Sequence, residues 1–272
     1  MGSGFRVSQA ADNRSLVRGL EILRAFRPGL DVLTNSELAE RTGLPRSTIS
    51  RLTGTLVRSG FLMHDPITGG YRLSATVLGM AHVMRSGSFV LNESVSLMQS
   101  VGRQMRVNIG LALADHDDML YLENLPFGPK ATLRKIVPGQ RVPMALTSLG
   151  RAYLSTLGQE ELKAQLAHLK PRYRRDWSVI ESHIREDIEA VGKQGYCAVA
   201  WQPSVVSVAA PLMLGNEPVH TLNMSLFTEQ DIDSVAQVLA PALLRLRQSI
   251  EDRIARRLDQ FYALRHSSFL DH

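Results

Sequence analysis

Over the first third of the chain, apolar residues recur at intervals of three and four in short runs, with glycine and proline between the runs. Leu16, Leu20, Leu23 and Phe26 share one side of a helix; this predicts a helix capped by Ser15, closed before Pro28 and Gly29, and packed as the third helix of a small core. Thr34 and Glu37 have capping-box spacing, in which the threonine oxygen takes the Glu37 amide hydrogen and the carboxylate reaches back to the cap. A helix is therefore predicted from Asn35, with Leu38 and Ala39 on its apolar side and Gly43 as its left-handed stop. Another opens with Pro45 in its first turn and runs to about Ser59, with Ile49, Leu52, Leu56 and Val57 as its buried stripe. After Gly60 the pattern becomes that of strands. Phe61, Leu62 and Met63, then Tyr71, Arg72 and Leu73, flank a loop holding Asp65, Pro66, Thr68, Gly69 and Gly70, which predicts a hairpin.

Two short helices, a tight turn and a hairpin, in this order over residues 34–73, form the skeleton of a winged helix-turn-helix, a module that sets a helix in a DNA groove. The outer face of the second helix carries Arg46, Ser47, Thr48, Ser50, Arg51 and Thr53, without a carboxylate among them. Hydroxyls bond to phosphate oxygens and arginine bonds bidentately to guanine, so this face suits base and backbone contact, with Arg72 of the hairpin on the backbone. Charge sharpens the picture. The chain carries 31 basic and 26 acidic residues, but residues 1–85 hold eleven arginines, no lysine and six acids, while residues 86–272 balance at twenty of each. The positive excess sits on the segment expected to meet a polyanion.

The rest of the chain mixes both periods. Ser74 caps a helix over residues 75–85, rich in Val77, Leu78, Met80, Ala81 and Met84; it reads as a rigid link with an apolar surplus suited to a partner, and Ser86, Gly87 and Ser88 mark a boundary. Helices are predicted over residues 91–106, 148–157, 160–168 and 178–192, and a long one from Thr228 to about Leu258. Strands are predicted over residues 107–113, 119–125, 133–137, 205–214 and 219–227, giving an α+β sheet domain with helices on one side. The expected organisation is a flexible arm (1–14), the winged module (15–73), the linker helix (74–88), a sheet domain (89–260) and a tail (261–272).

Several chemistries find no support. Cys197 is the single cysteine and reads as a space-filler, excluding an internal disulfide framework and a cysteine-based zinc cluster. No apolar run approaches the ~20 residues that span a bilayer, and the arginine-rich start lacks a signal-peptide core, so the expectation is a cytoplasmic protein without a membrane partner. There is no glycine-rich phosphate loop, HExxH or GxSxG, and hence no cofactor or catalytic group is expected. Asp115, His116, Asp117 and Asp118 read as a turn rather than a metal site. His64, Asp65, Arg174 and Arg175 read as solvated, and Arg253, Arg256 and Arg257 as partners of acids along their own helix.

Taken in order, the blocks SLVRGLEILRAF, LAERTGLPRSTISRLTGTLVRSGFL with GGYRL, PGQRVPMALTSLGRAYLSTL, KQGYCAV and VSVAAPLMLGNEPVHTLNMS resemble the IclR-type transcription regulators from about residue 15 to 257. The resemblance implies a winged helix-turn-helix, a linker helix and an effector domain similar to GAF and PAS folds. It also implies dimers, often paired into tetramers, on a palindromic operator under the control of a small metabolite. By the same resemblance, the positions of Ser148, Leu149, Ser207, Asn223 and Ser225 line the effector pocket. Thr147 to Gly150 stand where a loop enters a helix, so that free amide hydrogens suit an organic carboxylate, and strand alternation aims Asn223 and Ser225 the same way. The chain departs from the family after Gly195 and Tyr196: an acidic stretch is usual there, whereas CAVAWQPSVVS is uncharged. This suggests a less polar or aromatic effector, such as an aromatic acid, in contact with Trp201. The competing expectation is a small-molecule enzyme with an accessory winged domain that binds protein.

Overall fold

The computed structural model describes residues 13–128, 136–215 and 217–268, with side chains described up to residue 260. The chain forms two compact units that divide between Met84 and Arg85. Most of the expected arm, part of the strand expected over residues 133–137 and the side chains of the tail lie outside the described residues.

The first unit begins with α1 (Arg14–Ala25), capped by Asn13, whose side chain accepts from the Ser15 and Leu16 amides; the cap expected at Ser15 lies two residues earlier. Its buried contacts are Ile22 and Phe26, whereas Leu16 and Leu20 remain 61% and 50% exposed, so only the C-terminal half of the expected stripe packs inward. Next come α2 (Asn35–Thr42) and α3 (Arg46–Arg58). The Thr34/Glu37 box closes in both directions, and Gly43 ends α2 at φ 69°. The wing is β1 (Leu62–His64) paired antiparallel with β2 (Tyr71–Leu73), and Leu33 bridges to Tyr71. Ile22, Phe26, Leu33, Leu38, Ile49, Leu52 and Leu62 make the core of this unit. Then α4 (Ala75–Gly87) leaves Leu78, Met80, Val83 and Met84 exposed.

The second unit is built on one antiparallel sheet of six strands, ordered β5-β4-β3-β8-β7-β6. These are β3 (Asn108–Asp115), β4 (Asp118–Pro126), β5 (Arg141–Pro143), β6 (Cys197–Gln202), β7 (Val205–Leu212) and β8 (His220–Phe227). Alternation splits each strand between two cores. Ile109, Leu111, Val206, Val208, Leu222 and Met224 face α5 (Phe89–Met105) and α9 (Ile232–Ser268). Ala112, Met119, Tyr121, Cys197 and Ala209 face α6 (Ser148–Leu154), α7 (Gln159–Tyr173) and α8 (Trp177–Gln194). Helices therefore cover both faces of the sheet, not one as expected.

Short apolar runs show that a segment is buried but not which side of the sheet the next helix takes. Strands β5 and β6 went unread as well: β5 has three residues, and β6 combines polar Gln202 with a following Pro203. The long helix is capped by Asp231, whose carboxylate accepts from the Ser234 amide at 2.8 Å, three residues beyond the expected Thr228. It also continues to Ser268. Arg253 and Arg257 do not pair along their own helix; they reach across to Ser96 and Glu93 of α5. Among the described residues no helix is long and apolar enough to cross a membrane.

Candidate nucleic-acid interface and ligand pocket

Helix α3 is held from behind. Ile49 is fully buried and Leu52 nearly so, which turns Arg46, Ser47, Ser50 and Arg51 outward, with Thr48 half-buried at the edge. Thr53, expected on this outer face, is instead fully buried, its hydroxyl donating to the Ile49 carbonyl at 2.9 Å; a threonine can satisfy its hydroxyl against the preceding turn and so need not leave it unpaired in a core. The exposed face keeps its hydroxyls and arginines and holds no acid.

Arg72 is exposed on β2. In the loop before it Pro66, Ile67, Thr68 and Gly69 are exposed, but Asp65, expected to be solvated, is not. That carboxylate is buried, accepts from the Thr68 hydroxyl at 2.7 Å and amide at 3.0 Å, and is held below the usual carboxylate range by those two bonds first. Asp65 thus locks the wing turn that carries Arg72. His64 packs edge-on against Tyr71.

In the second unit, Ser148, Leu149, Trp201, Ser207, Asn223 and Ser225 come together around a single cavity of about 40 Å³. The floor is the sheet face opposite α5 and α9, where Asn223 and Ser225 stand on the same side of β8 and Ser207 pairs with Ser225 across β7. Ser148 Oγ donates to Ser207 Oγ at 2.9 Å, and Asn223 Nδ2 donates to the same oxygen at 3.0 Å. Thr147 caps α6 by taking the Gly150 amide hydrogen on its hydroxyl at 3.3 Å, so the Gly150 donor expected to face a carboxylate is already used. Gly150 must lack a side chain, because a Cβ there would fall 2.0 Å from the Met144 carbonyl oxygen. Trp201 and Gln202 reach the cavity from the end of β6, where the pairing with β7 slips between Val199 and Gln202.

Thr147, expected beside the effector, lines the same cavity, and so do Tyr121, Ile136, Val142, Gln202 and Val205, which the sequence did not point to. For Tyr121 a signal existed: it is the one aromatic in DMLYLENLP, two places from Met119 and therefore on its face of the strand. Burial pushes the Tyr121 hydroxyl well above its ordinary pKa and keeps it protonated. None of the described lining residues is charged. The turn of Asp115 to Asp118 joins β3 to β4 and is tied down by ion pairs of Arg141 with Asp115 at 2.6 Å and of Arg172 with Asp118 at 2.8 Å. Among the described residues no group of three or more His, Cys, Asp or Glu could hold a metal ion. Arg174 and Arg175 form a single 3-10 turn between α7 and α8.

The sequence pattern of the IclR helix-turn-helix domain matches residues 15–66, and that of the bacterial transcriptional regulator IclR C-terminal domain matches residues 86–252. The Pca regulon regulatory protein of Pseudomonas putida is 28% identical over 207 residues, 73% of this chain and 68% of that protein. A crystal structure of an IclR family transcriptional regulator from Brucella abortus is 30% identical and superimposes with a TM-score of 0.81, covering 92% of this chain and 96% of that one. An IclR homologue from Microbacterium hydrocarbonoxydans, complexed with 4-hydroxybenzoate, shares the fold at 22% identity and a TM-score of 0.67, over 89% of this chain and 99% of that one. An arginine-bearing helix-turn-helix and a sheet domain with a polar-floored cavity thus stand in one chain whose two parts both match: the chain belongs to the IclR family of transcription regulators, proteins that bind DNA and carry a ligand-binding C-terminal domain.

Proposed function

We propose that the protein binds a palindromic operator as a dimer, or as a pair of dimers, and that a small organic effector, carboxylic or aromatic, seated against Ser148, Leu149, Trp201, Ser207, Asn223 and Ser225 controls that binding. The observation that carries the reading is the coexistence of an exposed, acid-free α3 face with a separate buried cavity whose floor is polar and uncharged. Arg46, Ser47, Thr48, Ser50 and Arg51 read bases and phosphates, and Arg72 holds the backbone. Two half-sites about one helical turn apart are matched only by one spacing of two recognition helices, so an effector that alters the dimer alters affinity. Self-association is supported by the exposed apolar side chains of Leu16 and Leu20 on α1 and of Leu78 and Met80 on α4.

An aromatic effector is supported by the absence of charge among the described lining residues, by Trp201, and by the 4-hydroxybenzoate held in the Microbacterium relative. A cavity of about 40 Å³ is far below the ~150 Å³ that houses a benzene ring, so a ring must displace part of the lining to enter. Among the described residues the lining offers serines, threonine, tyrosine and amides without an acid, imidazole or lysine beside them, which favours binding over turnover and a regulator over an enzyme.

The test is a fluorescence-anisotropy titration on DNA from upstream of the protein's own gene, with and without aromatic and short aliphatic acids. Tight, salt-sensitive binding that an aromatic acid shifts is the expected result. Preferential response to glyoxylate-like acids would sink the aromatic assignment, and absence of sequence-specific binding would sink the regulator reading.

A further inference from the structure

The cavity floor contains one buried acceptor that the protein leaves unused. Asn223 is 4% exposed, and its Nδ2 donates to Ser207 Oγ at 3.0 Å. Its Oδ1 has no hydrogen-bond partner. That oxygen lies over Gly110, its register partner on β3. A Cβ at position 110 would come within 2.4 Å of Asn223 Oδ1 and of Tyr121 Cε1, so the absent side chain at Gly110 is what lets the amide and the tyrosine ring meet. The Tyr121 hydroxyl stands at the same amide and is held neutral by burial.

Resting on the reading of this cavity as the effector site, we propose that Asn223 Oδ1 is its specificity-determining atom, selecting effectors that present a neutral hydroxyl of the phenolic type, which donates to that oxygen. A buried acceptor left unpaired is costly, and a ligand that supplies the missing donor recovers that cost. A ligand of the same shape without the donor does not, which is why sites built to bond a hydroxyl reject the analogue lacking it far more strongly than apolar pockets discriminate between alkyl groups. The described lining residues carry no charge, and a neutral hydroxyl enters such surroundings at a lower desolvation cost than an anion does. The neighbouring Tyr121 hydroxyl can donate in turn to the oxygen of the incoming group.

Calorimetric titration of the full-length protein with benzoate, 3- and 4-hydroxybenzoate, their methoxy counterparts and phenol tests this. At least one hydroxylated compound should bind tenfold or more tighter than both its parent and its methoxy ether; tenfold corresponds to about 1.4 kcal/mol. Asn223→Leu should erase that preference, so that hydroxylated and unhydroxylated rings bind the variant with the same affinity. Tyr121→Phe, which keeps the shape and the Asn223 oxygen, should retain the preference. Binding of benzoate and hydroxybenzoates with equal affinity, or a preference that survives in Asn223→Leu, overturns the role of Asn223 and leaves the cavity as the effector site. No binding by any compound, hydroxylated or not, removes the effector-site reading and the proposal with it.

Discussion

Arg51 shows how little at the exposed face of α3 is settled by packing. It is exposed on α3, one turn beyond Ser47 and directly before the buried Leu52, so the core fixes its Cα while its guanidinium stays free to find a base edge. Arg51→Ala should weaken operator binding by about 1–3 kcal/mol and relax preference at one base position, because a bidentate contact to guanine is lost while the helix stays docked. Anisotropy titrations on operator variants measure this; an unchanged operator affinity would remove Arg51 from base reading. Asp65 behaves in the opposite way, as its chemistry serves the fold. The Thr68 hydroxyl and amide bond its ionised form and depress its pKa, so the stabilisation it gives the wing is present above the ordinary carboxylate value and is lost as pH falls through the lowered one. In Thr68→Ala the Asp65 titration, followed by NMR, should move up towards the ordinary value, with exchange protection of Leu62 to His64 failing at a higher pH than in the parent. An unmoved midpoint would show that the turn does not depend on Thr68.

Among the elements, α6 is the one whose position the pocket depends on. Gly150 presses it onto the loop backbone at Met144, and a methyl there meets the Met144 oxygen at 2.0 Å and its Cα at 2.4 Å, atoms that cannot rotate away. Gly150→Ala should cost about 1–3 kcal/mol or more by overpacking, read as a lowered urea midpoint, and should displace Ser148 from Ser207. A variant as stable as the parent would mean that the loop preceding α6 yields. Elements were legible in the sequence where the signal is local. The Thr34/Glu37 box, Gly43, and the alternation of Asn223 and Ser225 are set by neighbours within four residues, and all three stand as read. What escaped depends on distant partners. Thr53 looked like surface until its hydroxyl found the Ile49 carbonyl. The two-sided covering of the sheet, and Tyr121 beside Asn223, exist only because β3 pairs with β8 on one edge and β4 on the other, a pairing of segments about a hundred residues apart that no local period encodes.

At the scale of the whole molecule, the two units divide the labour that their charges announce. The positive excess lies in residues 1–85 and the second part is neutral, so electrostatic attraction to DNA belongs to the first unit. One small module offers one short reading helix, and affinity for a palindrome requires two of them held at fixed spacing. The surface best suited to hold a second copy is the apolar strip of the first unit. Leu16 and Leu20 of α1 are 61% and 50% exposed, and Leu78 and Met80 of α4 are 73% and 57% exposed; Leu16, Leu20 and Met80 border one groove with Leu23, Leu73 and Met84. Contiguous exposed apolar patches are rare and mark interaction sites. Because these side chains contribute little to their own unit's core, Leu20→Glu with Met80→Glu should leave its thermal unfolding close to that of the parent, as surface substitutions do. Sedimentation equilibrium should show the pair of substitutions shifting the protein towards monomer. Its affinity for a two-half-site operator should drop to that for a single half-site, since two buried carboxylates in a two-fold interface are repelled by their symmetry mates as well as desolvated. Should the doubly substituted protein sediment as the parent does and still bind the palindrome as tightly, the strip on α1 and α4 does not join the copies, and the spacing of the reading helices must be set from the second unit.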